Sequence, residues 1–92
     1  MFGLLVGAQI EAGREDDAIA YLNDRVIPQI KQTPGFVAGY WWTDSAGGRG
    51  ITIYETEENA KAAAEMATSG QVPPPEYVSM GKPEIVEITN HA

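Results

Sequence analysis

The chain is expected to fold as an α+β domain of order β-α-β-β-α-β, a four-stranded antiparallel sheet with two helices on one face. Three observations carry this. Four segments, 2–10, 36–44, 50–55 and about 80–89, read as strands of alternating or aromatic-rich character, and two segments between them repeat apolar residues at helical spacing. Glycine and proline mark the joints. The third is the run Pro34-Gly35-Phe36-Val37-Ala38-Gly39-Tyr40-Trp41-Trp42, a turn leading into a strand with large apolar groups on both faces. Strict alternation puts Phe36, Tyr40 and Trp42 on one face and Val37 and Trp41 on the other.

Each element has its own justification. In the first strand Leu4, Val6, Ala8 and Ile10 alternate with Gly3, Leu5 and Gly7, and Gly13 ends it. From Arg14 to Lys31 the residues Ile19, Leu22, Val26 and Ile30 form one apolar stripe, with Glu15, Asp16 and Asp17 at the positive end of the helix dipole. Pro28 has no N–H, so a kink or a tightened last turn is expected after Ile27. Ser45-Ala46-Gly47-Gly48 reads as a hairpin loop longer than the tightest type. Thr56 suits the N-cap of a second helix, whose Ala60, Ala63, Ala64 and Ala67 allow close approach to a sheet. Gly70 stops that helix, Pro73-Pro74-Pro75 extends the connector, and Ile85, Val86 and Ile88 mark a fourth strand with Pro83 near its start or at an edge.

Two helices cover one face of such a sheet and leave the other bare. The arrangement is ferredoxin-like, and a second copy packed against the bare face is the simplest cover for its aromatic residues. Burial of each large aromatic contributes about 2–3 kcal/mol, enough for two or three of them to drive a homodimer.

Composition removes several functions. The 92 residues suit one domain spanning 1–92, and 13 acidic against 6 basic residues give a net charge of −7, which repels nucleic acid and anionic membranes. There is no cysteine, hence no disulfide or thiolate chemistry, which fits a cytoplasmic location. No apolar run reaches the roughly 20 residues of a membrane helix, and the apolar start lacks the basic flank of a signal peptide. Ser45, Ser69 and Ser79 lack a histidine partner, and Gly47-Gly48-Arg49-Gly50 lacks the spacing of a phosphate loop. Metal and cofactor sites are not expected.

The residues Val26-Ile27-Pro28, Pro34-Gly35-Phe36 and Ile53-Tyr54-Glu55-Thr56-Glu57-Glu58 together resemble the dimeric α/β-barrel superfamily typified by antibiotic-biosynthesis monooxygenase domains. The resemblance implies a dimeric barrel with a cavity between sheet and helices, in a family that includes cofactor-independent monooxygenases, haem-degrading enzymes and members of no known activity. Haem-degrading relatives hold the porphyrin with an Asn in the first strand and a Trp and a His associated with the second helix. Here those regions carry Gly7, Ala8 and Gln9, then alanines and Met66, and the sole histidine is His91, so tight haem binding is not expected. Tyr40, Trp41, Trp42 and Tyr54 are the candidate ligand-binding residues for a small aromatic molecule. For a cofactor-independent monooxygenase, a partly buried Glu55 is the candidate base, and Arg49 or Tyr54 the stabiliser of developing charge. A structural module whose aromatic residues are all consumed by packing is the third reading.

Overall fold

The computed structural model describes residues 1–45, 47–68, 74–90 and 92. Strand β1 (Phe2–Ile10) leads into a helix made of α1 (Glu15–Tyr21), a π-helical turn (Leu22–Val26) and α2 (Ile27–Ile30). Strands β2 (Phe36–Asp44) and β3 (Gly47–Tyr54), helix α3 (Glu57–Thr68), and strands β4 (Val78–Met80) and β5 (Glu84–Glu87) follow. The sheet is antiparallel in the order β2-β3-β1-β4, with β5 also paired to β1 beyond β4. This is the expected α+β arrangement with its last strand divided in two.

The division has a simple cause. Three residues, Gly81-Lys82-Pro83, lie opposite two on β1, Val6 and Gly7, so one extra residue is accommodated between the pairs Ala8–Met80 and Leu5–Glu84. Pro83 has no N–H to give to a ladder, while Gly81 donates to the Gly7 carbonyl at 2.7 Å. At the hairpin, the pairing of Asp44 with Gly47 leaves a two-residue connection, shorter than the expected loop, because Gly47 adopts φ 120° and begins β3 three residues early. The expected readings at Ala46, Gly70, Pro73 and His91 lie outside the described residues.

Pro28 marks a change on both sides of itself. After Ile27 the helix ends in the expected tightened turn, with the Gln32 and Thr33 N–H groups donating to the carbonyls three residues back, Gln29 and Ile30, at 3.2 and 3.0 Å. Pro28 cannot donate to Asp24, and the turn before it widens, so that the Ile27 N–H bonds the Leu22 carbonyl five residues back. The core sits under the other helix. Leu4, Tyr54, Ala60 and Ala63 are buried together, with Phe2, Val6, Phe36, Ala64 and Ile85 packed around them. Helix α3 begins as expected, with the Asn59 N–H donating to the Thr56 hydroxyl at 3.1 Å and that hydroxyl donating to the Asn59 side-chain oxygen at 2.7 Å. The alanine stripe then settles onto β1, β3 and β5 through Ala60, Ala63 and Ala64, with Ala67 exposed.

Gly35 ties the two halves together. It has φ 76°, an added Cβ would collide with the Asn59 side chain, and its carbonyl accepts from the Glu55 N–H at 2.9 Å. Gly35→Ala is therefore expected to destabilise the domain by about 1–3 kcal/mol, from backbone strain and loss of the α3 cap together. Urea unfolding is the check. A loss below about 0.5 kcal/mol would show that the turn relaxes freely.

Candidate functional site

Which aromatic residue faces the helices is decided by one irregularity in β2. Phe36 pairs with Tyr54 and Ala38 with Ile53, so Val37 is an extra residue and the alternation reverses across it. Phe36 and Trp41 consequently share the helix-covered face, opposite the face carrying Tyr40 and Trp42. Strict alternation had grouped Phe36 with Tyr40 and Trp42, and the bulge corrects that.

Trp41 lies flat. A Cβ added at Gly50 would come within 2.5 Å of Trp41 Cδ1, and one added at Gly39 within 2.5 Å of Cη2, so the indole spans two glycines on adjacent strands. Those glycines are the signal that sequence reasoning missed: side-chain-free positions next to a strand tryptophan make the bed on which its ring rests.

The proline-widened helix is the loosely packed part of the molecule. None of its residues is fully buried. Its stripe, expected to be buried, has Ile19 at 50% exposure and Leu22, Val26 and Ile30 only half-buried. The helix is held at its N-terminal end, where the Tyr77 hydroxyl donates to the Asp17 carbonyl at 3.3 Å and the Arg14 guanidinium sits 4.0 Å from the centre of the Tyr77 ring. A 2.6 Å hydrogen bond to Asp17 also raises the pKa of Arg14 above its ordinary value.

A hollow of about 300 Å³ opens beside the α3 C-terminal half, lined by Val6, Ala67, Met80, Gly81, Lys82 and Pro83. It is apolar apart from Lys82, which the bulge after β4 places in its lining. Lys82 was not among the candidate residues. A Gly-Lys-Pro triplet within a strand pattern was the available signal, since glycine and proline there mark a bulge that re-aims its neighbour.

The remaining candidates are dispersed. Tyr54 is 1% exposed inside the core, its ring 6.1 Å from that of Phe36 in an edge-on contact, and it is not part of the lining of the hollow beside α3. Tyr40, Trp42 and Arg49 stand on the uncovered sheet face. Glu55 is exposed at the bend after β3, so the partial burial on which its candidacy as a base rested is not found. The four aromatic residues thus do not enclose one cavity, and of the four only Trp41 and Tyr54 lie on the helix side.

Among the described residues, the hollow beside α3 offers a haem iron only Met80 as a ligand type. Axial ligands are His, Cys, Met or Tyr, and among the described residues there is no His, while the chain has no Cys. Met80 is half-exposed at the hollow's edge and Tyr54 is sealed in the core. No group of three metal-ligating side chains occurs among the described residues.

No protein-family model matches the chain, and no curated protein matches it in sequence. Solved structures do. The haem degrader MhuD of Mycobacterium tuberculosis, solved with two haems in its active site, superposes with a TM-score of 0.77 at 13% identity, covering 100% of this chain and 99% of that one. A protein proposed to be a monooxygenase from Shewanella loihica gives 0.70 at 14% identity over 98% and 95%. The monooxygenase from the ActVA-Orf6 gene of Streptomyces coelicolor, solved with nanaomycin D, gives 0.57 at 17% identity over 99% and 88%. The chain therefore has an α+β, ferredoxin-like fold, which it shares with these structures. No described helix is long and apolar enough to cross a membrane.

Proposed function

We propose that the protein binds a small planar aromatic molecule between its first helix and the sheet, with Trp41 as the platform. The observation that carries this is the indole laid over Gly39 and Gly50 on the helix side of the sheet, in a fold whose first helix has an incompletely covered apolar stripe. A flat ring entering there would stack on the tryptophan, and Lys82 at the neighbouring hollow would favour an anionic or phenolic substituent. The fold shared with structures solved with haem and with nanaomycin D supports a ligand of this shape.

The working form in this proposal is a cytoplasmic homodimer, joined through the uncovered sheet face. Tyr40 is 64% and Trp42 42% exposed there, beside half-buried Leu5, Ile51 and Ile53. Catalysis as a cofactor-independent monooxygenase is the second reading, favoured by the monooxygenases among the structural neighbours. Oxygen consumption on an anthrone, without added metal or flavin, separates catalysis from binding alone.

The chain has two tryptophans, so fluorescence can report on each in turn. Alizarin is expected to quench Trp42→Phe protein saturably, through Trp41, and to leave Trp41→Phe protein nearly unchanged. Equal quenching of the two variants would remove Trp41 from the site. Saturable quenching of neither would favour the purely structural reading.

A further inference from the structure

We propose that Arg49 of each copy pairs with Glu84 of a second copy, so that two reciprocal ion pairs fix the register of the sheet-to-sheet dimer. The inference rests on the homodimer reading above and goes beyond it to the residues that lock the interface. Arg49 is the one basic residue borne by a strand of the sheet. Its Nε is buried without a hydrogen-bond partner among the described residues, a costly arrangement for a charged group that a carboxylate set beside the guanidinium would offset.

A receptacle for that carboxylate is present. Gly7 has no side chain, so the face is notched beside Arg49; Gln9, Ser79, Lys82 and Glu84 are the other polar residues of its lining, and its volume is about 370 Å³. Arg49 pairs with Gly7 on one side of β1, and Glu84 pairs with Leu5 on the other. The two opposite charges therefore flank the central strand about two strand spacings apart, roughly 10 Å. A two-fold axis running along β1, in the plane between two copies, would lay β3 of each over β5 of the other. Arg49 would then meet the opposing carboxylate in both directions, with the arginine's length covering the two-residue offset along the strand. The face is self-complementary in charge as well as apolar, as an isologous interface must be.

Mixing separates pairing between copies from pairing within one. Arg49→Glu chains carry two negative charges at these positions and Glu84→Arg chains two positive ones, so each homodimer sets like charges together. Sedimentation is expected to show wild type as dimer, each variant weakened roughly tenfold or more, and the equimolar mixture dimeric again. Circular dichroism establishes that the variants are folded. Should either fail to fold, Arg49→Cys and Glu84→Cys chains, each with a single thiol because the natural chain has none, are mixed and treated with a short bismaleimide. Preferential cross-linking of unlike chains is then the expected result. A dimeric wild type whose variants associate undiminished, whose mixture stays monomeric, or whose thiol chains cross-link no better in unlike than in like pairs overturns the pairing alone. A monomeric wild type overturns the pairing and the homodimer together, while the quenching by alizarin stands apart from both.

Discussion

Tyr54→Ala is expected to destabilise the domain by about 3–5 kcal/mol, a large part of the roughly 5–15 kcal/mol that holds a typical domain together. Tyr54 is the largest fully buried side chain, it meets the edge of Phe36, and it lies with Leu4, Ala60 and Ala63 where α3 seals the sheet. Alanine there would leave a void bounded by two elements that meet through small residues and have little to fill it with. At about 4–8 °C per kcal/mol for a domain of this size, the melting temperature should fall by at least about 12 °C. Tyr40→Ala, on the uncovered face, should cost less than about 0.5 kcal/mol in dilute monomer. A loss under about 1 kcal/mol at Tyr54 would show that the core is not where the burial places it.

Gly50→Val is the second large effect, and it falls on binding more than on folding. A side chain at this position would occupy the space taken by the five-membered ring of Trp41, with the first contact at 2.5 Å. The indole must lift from its bed or rotate away. Overpacking of this kind costs about 1–3 kcal/mol of stability, and loss of the stacking surface should weaken alizarin binding by roughly tenfold or more. Gly7→Ala is the control, because its nearest neighbour would be Arg49 Cδ at an ordinary 3.7 Å, on the other face of the sheet. Fluorescence titration of the two variants should therefore diverge. If Gly50→Val binds as wild type does, the platform is not the site.

The sequence disclosed the order of elements because local signals and long-range packing agreed there. Leu4 to Ile10, the Ala60, Ala63 and Ala64 part of the α3 stripe and the Thr56 cap each did in the fold what their spacing predicted. It failed where a single residue changed the count. Val37 reversed the two faces of β2, and Gly81-Lys82-Pro83 split the last strand, neither of which periodicity can show because an inserted residue leaves the pattern on each side intact. The candidate site suffered most from this. Tyr40, Trp41, Trp42 and Tyr54 looked like one aromatic cluster by type, whereas the bulge sends two of them to the far face and the core takes a third. Trp41 remained, and the glycines that seat it become meaningful only once Gly39 and Gly50 are known to sit beneath one ring.

The two bulges also bear on how the sheet avoids growing. Its outer strands are β2 on one side and β4 with β5 on the other, and each is interrupted, at Val37 and at Gly81-Lys82-Pro83. An uninterrupted outer strand offers a row of free amides and carbonyls to any passing strand, the first step toward fibrous aggregates. A bulge breaks that row, and a lysine and a proline placed in it oppose the approach of a new strand by charge and by a missing donor. Extension sideways is thereby resisted at both borders of this small acidic protein, which leaves the broad surface of its sheet as the face open to the association proposed above.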